Sequence, residues 1–250
     1  MGQNSVLFLY SKGAHSVHRG WAEAVDADFM EVEPGWKWFL QPRSLKIRKY
    51  DVVLCENSYS MRLAAFHKAL GADFHLSRLI ATATYYNRDK KDEGLKGGLW
   101  AAKKADSAIA ISKWVKKYAE KYFDCKIKVV NPFVTENKYE DLAELDYKSG
   151  TGNILLVGTH RRKEGSRKGL DYLEKAVSIL EDKGYDIKAK TAGNSGEAIG
   201  YSSNVEDQGY VDHRKFLDLF EESELFLQPS RTDGWSVAVV EAMRSGTPPI

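Results

Sequence analysis

The sequence predicts two parallel α/β domains joined by a short connection. Three observations lead there. Short β-branched or apolar runs alternate with amphipathic helical stretches, the rhythm of parallel α/β architecture. That rhythm breaks once, between Asn131 and Gly152, and then resumes. The charge also divides at this break. Met1 to Thr135 carries 22 Lys and Arg against 14 Asp and Glu, a balance of +8, and the remainder carries −6. The 250 residues therefore divide into a first domain 1–135, a linker 136–152 and a second domain 153–250.

In the first domain the strands are expected at Ser5–Tyr10, Asp28–Val32, Asp51–Glu56, Leu79–Thr84, Ser107–Ile111 and Lys126–Val130. Helices are expected at His18–Val25, Tyr59–Leu70, Gly94–Lys104 and Lys113–Phe123, the last capped by Ser112. The connection opens on Asn-Pro, ends in Ser-Gly-Thr-Gly and holds a short helix near Tyr139–Leu145. In the second domain the strands fall at Ile154–Gly158, Ile187–Ala192, Val205–Val211, Glu224–Gln228 and Thr247–Ile250. Its first helix, Lys168–Asp182, places Leu170, Leu173, Val177 and Leu180 on one face. Two more helices fit His213–Glu222 and Trp235–Arg244. The chain stops inside an apolar run after a Gly-Thr-Pro-Pro turn, so the second domain is expected to be incomplete.

Several chemistries are excluded by what the sequence lacks. It has no P-loop, no GxGxxG after the first strand, and no HExxH, CxxC or GxSxG. No stretch approaches the roughly 18 apolar residues of a membrane-spanning helix. No basic, apolar and small-residue series marks a signal peptide, so cytoplasm is the expected compartment. Two cysteines, Cys55 and Cys125, make neither a disulfide framework nor a four-ligand zinc site. Asp26-Ala27-Asp28 matches the Asp-x-Asp of some metal-using enzymes, but three-residue patterns arise by chance, and no metal site is expected. No nucleic-acid reader motif occurs and the basic residues lie among acidic ones.

The stretch QPSRTDGWSVAVVEAMRSGTPPI is the densest in chemistry. It resembles the donor-binding signature of retaining glycosyltransferases with the GT-B fold, the family 4 type that includes glycogen-synthase-like and phosphatidylinositol mannosyltransferases. Pro229, Ser230, Gly234, Glu241, Ala242, Met243, Gly246, Thr247 and Pro248 stand in register with that signature. The family's two glutamates, eight positions apart, fall on Asp233 and Glu241, and Ser236 replaces a glycine. A loop running into a helix N-terminus suits a diphosphate, and Gly234 allows close approach. The resemblance implies that Glu241 accepts from ribose hydroxyls and that Asp233 reaches the donor sugar. Trp235 and Ser236 begin the helix beside the phosphates.

Other segments agree. ILLVGTHRRKEGSRKGLDYLEKAVSIL resembles the family's opening of the second domain, with Lys168 on the lysine that pairs with donor phosphates. The family arginine after the glycine is absent, and Arg161, Arg162, Lys163 and Arg167 lie in a longer loop from which one arginine would replace it. Tyr210 and Val211 stand where the family lays backbone along the nucleobase. The first hundred residues match in outline only. The glycine-rich first loop appears as Ser11-Lys12-Gly13-Ala14-His15, and the family histidine after the fourth strand is missing from Thr82-Ala83-Thr84-Tyr85-Tyr86. His15 and His18 are the nearest substitutes, although a loop histidine is more often solvated.

The resemblance implies two Rossmann-like parallel-sheet domains facing a cleft and transfer of a sugar from a nucleotide-diphosphate sugar with retention at the anomeric carbon. No metal is implied, and Asp233 and Lys168 are the catalytic candidates. A catalytically silent sugar- or lipid-binding subunit, or a sugar-nucleotide epimerase, would share this fold. The expected partners are a nucleotide sugar and a carbohydrate or lipid-linked acceptor. Trp36, Trp38 and Phe39 with Arg43, Lys46, Arg48 and Lys49, and the lysines from Lys113, suit an anionic membrane surface on the inner face. The same residues suit solvated lysines over a core edge.

Overall fold

The computed structural model describes residues 4–11, 16–33, 42–81, 99–132, 136–158, 168–193, 204–231 and 233–250. The chain forms two compact units, Met1–Phe133 and Val134–Ile250.

The first unit is built on a six-stranded sheet: β1 Val6–Tyr10, β2 Asp28–Glu31, β3 Val52–Cys55, β4 His75–Ile80, β5 Ser107–Ala110 and β6 Lys126–Val129. All pairs are parallel and the order is β2-β1-β3-β4-β5-β6. Helices α1 Ser16–Glu23, α2 Ser58–Ala69 and α3 Lys113–Ala119 connect them. Both faces of the sheet are covered, so side chains of both parities are buried along β1. Leu7 and Leu9 join Val53, Leu76, Met61 and Leu63 in one core, while Phe8 packs against Tyr10 and Phe29. Asn57 caps α2 by accepting from the Ser60 amide, and Ser60 Oγ accepts from Asn57 N, a capping box.

Two expectations change in this unit. The fourth strand begins at His75, four residues before the apolar run starts. Buried polar residues hide it: Ser77 accepts from Ser107 Oγ at 3.1 Å, and Arg78 donates to the Cys55 carbonyl at 2.8 Å. The basic run after Pro42 forms a 3-10 helix, Pro42–Lys49. Ile47 is fully buried in the core, and Arg48 donates to the last carbonyl region of α2 at Leu70. Trp36, Trp38 and Phe39 lie outside the described residues. Cys55 is buried, and burial pushes its thiol up to about 12, so it stays protonated.

The second unit has four parallel strands: β7 Asn153–Val157, β8 Lys188–Ala192, β9 Val205–Asp207 and β10 Leu225–Phe226. Its helices are α4 Glu136–Ala143, α5 Leu170–Asp182, α6 His213–Glu221 and α7 Val237–Arg244. The order is β10-β7-β8-β9. Successive residues of β7 point to opposite cores. Leu155 packs with Phe226, Leu219, Phe220 and Ala242, and Leu156 with Leu170, Leu173, Val177 and Ala189. Leu180 is not among the buried residues of α5.

The segment expected as linker carries α4, and its Leu142 is fully buried in the core of this unit. The expected last strand at Thr247–Ile250 is a single parallel bridge, Phe226 to Pro249, with Ile250 N donating to Phe226 O at 2.9 Å. Among the described residues no helix is long and apolar enough to cross a membrane.

Candidate donor site

In open parallel sheets, ligands bind beyond the strand C-termini where the order of strands reverses. In the second unit the chain runs β7, β8, β9 to one side and then returns to place β10 on the other side of β7. The reversal lies between β7 and β10. The residues after those two strands are Lys168, which leads into α5, and the loop from Gln228 to Ser236, which leads into α7.

These two segments are locked together. Lys168 Nζ lies 2.8 Å from Asp233 Oδ2, with both side chains mostly buried. Gln228 Nε2 donates to the same Asp233 oxygen at 3.1 Å and to Ser230 Oγ at 2.9 Å. Gly169 follows with φ +77, and a Cβ there would lie 2.3 Å from the Pro229 carbonyl oxygen. Only glycine allows that approach. Arg231 donates to both carboxylate oxygens of Asp171, at 2.8 and 2.6 Å, and its guanidinium lies 4.0 Å from the Tyr172 ring centre. The hydrogen bonds from Arg231 hold the Asp171 carboxyl below its usual range. The two catalytic candidates thus meet, although 65 residues apart. Gln228, Arg231 and Asp171, which fasten the loop, carry no sequence signal beyond their residue types.

Ser236 sits where the resembled family has glycine, and here it caps α7, its Oγ accepting from Val239 N at 3.4 Å. That cap starts the helix at Val237, two residues later than expected. Gly234 and Trp235 lie just before it and are partly buried.

A cavity of about 320 Å³ opens on the same edge of the sheet. Val157, Ala192 and Gly193 at the strand ends form one side, and Tyr210, Val211, His213 and Phe216 form another. Strand β9 ends at Asp207, earlier than expected, because the Asp207 carboxylate accepts from Gly209 N at 3.0 Å and turns the chain. Tyr210 and Val211 are therefore wall residues and not strand residues. Tyr210 is 88% exposed, which leaves its ring open for stacking.

Glu241 is 5% exposed on α7, and its Oε1 lies 2.5 Å from Lys138 Nζ of α4. Lys138 lines the cavity and Glu241 does not. The resemblance implies Glu241 at the ribose; in the structure its carboxylate pairs with Lys138. Arg161, Arg162, Arg167, Gly13 and His15 lie outside the described residues. His18 is not a solvated loop histidine: it is 3% exposed on α1, with Nδ1 3.2 Å from Glu56 Oε1. Asp26 and Asp28 form no metal cluster, and among the described residues no group of three or more metal-ligating side chains occurs.

Residues 151–250 match the family model described as Glycosyl transferases group 1. The protein CapJ of Staphylococcus aureus is 26% identical over 157 residues, which are 59% of this chain and 39% of that protein. The match thus spans about two-fifths of that relative's length. Among solved structures, sucrose-phosphate synthase from Thermosynechococcus elongatus superimposes with a TM-score of 0.72 at 14% identity, covering 98% of this chain and 80% of that one. HepE of Anabaena, in complex with UDP and glucose, gives 0.69 at 16% identity over 98% and 80%. OtsA gives 0.66 at 9% identity over 97% and 81%. The fold is accordingly GT-B, two parallel α/β units. Within it, residues 151–250 carry the group 1 glycosyltransferase match.

Proposed function

We propose that this protein transfers a sugar from a nucleoside diphosphate sugar to an acceptor, with retention at the anomeric carbon. The observation that carries the reading is the Lys168–Asp233 pair at the strand reversal, on the same edge as a nucleoside-sized cavity. Lys168, joined by an arginine from Arg161, Arg162 and Arg167, binds the diphosphate and stabilises the charge that develops on it as the glycosidic bond breaks. The N-terminus of α7 beside Gly234, Trp235 and Ser236 adds backbone donors and a favourable dipole. Side-chain cations fill this role in the proposal, and no metal is required. Asp233 holds hydroxyls of the donor sugar. Tyr210 and Val211 take the base, and Glu241 supports the nucleoside end. Gly13 is counted among the donor-binding residues.

Two solved neighbours support a nucleotide sugar. HepE has been determined with UDP-glucose, and a trehalose-6-phosphate structure from E. coli holds UDP-2-fluoro glucose. The test is calorimetric titration with UDP-, GDP- and ADP-glucose, followed by a transfer assay and an NMR assignment of the product anomer. Binding of one donor and a product of unchanged anomeric configuration are expected. Binding without turnover would instead indicate a silent sugar-binding subunit, and a converted nucleotide sugar without acceptor an epimerase.

The acceptor is proposed to be presented at an anionic lipid surface. Helix α3 exposes Lys113, Trp114 and Lys117 on the first unit, and the Trp114 ring centre lies 4.8 Å from that of Tyr118, tilted by 57°. Exposed indole beside lysines matches the chemistry of an anionic headgroup layer. The protein is expected to co-sediment with phosphatidylserine-containing vesicles and not with phosphatidylcholine vesicles. Attachment should fall in 0.5 M salt, where the Debye length shrinks below the roughly 8 Å of physiological buffer, and in a Trp114→Ala variant. Indifference to anionic vesicles at low salt would mean a soluble acceptor.

A further inference from the structure

We propose that the contact between Arg48 and His67 is a pH-operated latch: with His67 neutral it holds the 3-10 helix Pro42–Lys49 on α2, and protonation of the ring releases it. The inference concerns the first unit alone and stands apart from the donor reading.

The latch has an apolar seat and a polar clasp. Ile47 is fully buried in the core that also holds Met61, Leu63 and Ala64 of α2. The next residue, Arg48, supplies the clasp. Its Nε donates to His67 Nδ1 at 3.4 Å, and its Nη2 donates to the Leu70 carbonyl, at the C-terminal cap of α2, at 3.3 Å. A cation suits that end of a helix, where carbonyls are left over.

A guanidinium has donors only and stays charged at any physiological pH. His67 Nδ1 must therefore accept, which fixes the ring as the neutral tautomer with its proton on Nε2. A second proton, on Nδ1, removes the acceptor and sets two cations against each other. The ring is only 3% exposed, so water does little to screen them. No carboxylate stands ready either. The elements packed most closely on α2 are the 3-10 helix, β1, β3 and β4, and neither they nor α2 contain an aspartate or a glutamate.

The other ionisable groups of these elements are engaged elsewhere or face water. Lys46 and Lys49 are exposed, and Tyr10 of β1 stacks on Phe8. In β4, His75 bonds to Ser107 Oγ and Arg78 donates to the carbonyl of Cys55, the buried thiol of β3. On α2 itself, Lys68 pairs with Asp106 and Arg62 lies over the Tyr59 ring. Burial first, and then the charge of Arg48, lower the proton affinity of His67. The latched state thus binds the proton less well than the released one. The latch is complete above the ordinary histidine value of about 6.5 and is lost as the pH falls below it. In acid, Lys46, Arg48 and Lys49 come away from α2 together, as a freed basic run.

The experiment is NMR and amide exchange on the full chain, comparing the parent with His67→Asn and Arg48→Met. Asparagine keeps an acceptor near the Nδ1 position and cannot titrate. The His67 ring signals are assigned by their loss in His67→Asn. They are expected to show an unprotonated Nδ1 at about pH 7.5 and a midpoint below the ordinary histidine value, which moves back toward it in Arg48→Met. Protection of the amides of residues 44–49, corrected for intrinsic exchange, is expected to fall about tenfold between about pH 7.5 and about pH 5 in the parent. That is the equivalent of one lost hydrogen bond to a charged group. Over the same range protection should change by less than about threefold in His67→Asn, latched at both ends, and in Arg48→Met, unlatched at both. The amides of α3 report any general loosening in acid.

Should His67→Asn fail to fold, Arg48→Met changes an exposed side chain and carries the comparison alone. A proton on Nδ1 at about pH 7.5, a His67 midpoint unmoved by Arg48→Met, or an acid step as large in Arg48→Met as in the parent would each overturn the inference.

Discussion

Replacing Lys168 by alanine is expected to lower the rate of sugar transfer about 10²–10³-fold, the loss seen when one donor to developing charge is removed. The neighbouring carboxylate should act in the opposite sense on binding. Asp233 Oδ2 holds the Lys168 ammonium at 2.8 Å, so a diphosphate must compete with it for that cation. Asp233 also repels the phosphates. Asp233→Asn relieves both effects and keeps the hydrogen bond from Gln228, since the amide oxygen still accepts. A partly exposed ion pair contributes on the order of 1 kcal/mol, which converts to about a fivefold gain in affinity for the free nucleoside diphosphate. Transfer should nevertheless fall about 10²-fold or more, because the carboxylate that orients the donor sugar is gone. Titration with nucleoside and nucleoside diphosphate, beside steady-state transfer rates, separates these effects. Equal losses for nucleoside and diphosphate in Lys168→Ala would remove Lys168 from the phosphates. Weakened diphosphate binding in Asp233→Asn would make the carboxylate structural.

The second large effect is on stability. Gly169→Ala is expected to cost about 2–5 kcal/mol, from a left-handed backbone at about 1–2 kcal/mol and an overlap with Pro229 at about 1–3 kcal/mol. The Cβ would lie 2.3 Å from the Pro229 carbonyl oxygen and 2.7 Å from its Cγ, so the loop after β10 has to move. Gly184 supplies the control in the same unit. Its φ is +83 with nothing within 4 Å, and Gly184→Ala should cost only the backbone share, about 1 kcal/mol. Urea denaturation of the two variants measures the difference. Equal destabilisation would show that Pro229 yields without cost. Gly169→Ala should also lose donor affinity out of proportion, because the same shift carries Asp233 away from Lys168.

Much of this was legible before any coordinates, and the division follows physical lines. Features written in consecutive residues survive: the alternation of β7 and α5, and the loop into α7. Strand β4 was misplaced because a central strand with Ser77 and Arg78 inside it does not look apolar, although each finds a partner across the sheet. The 3-10 helix after Pro42 was missed because one buried residue, Ile47, anchors it, and a single apolar residue sets no period. His18, expected to open the first helix and to be solvated, lies two residues inside α1 and faces Glu56. In the site, Lys168, Asp233 and Glu241 could be named from the family resemblance of the segments that carry them. Lys138 could not, since 103 residues separate it from its carboxylate and no local spacing signals such a meeting.

The anchoring of Lys168 has an evolutionary consequence. Its place is dictated from the far side, by the Gly169–Pro229 contact, the Asp233 pair and the clasp of Arg231 on Asp171. With the lysine fixed from that side, the stretch before it in the sequence, from Thr159 to Arg167, is expected to tolerate change. Natural variation can lengthen that stretch without moving Lys168, provided that one arginine is kept for the diphosphate. Such a division lets a lineage explore new donors through one tolerant segment while the reacting centre is inherited unchanged. The extra cations between Thr159 and Arg167 are what that freedom looks like in a single sequence.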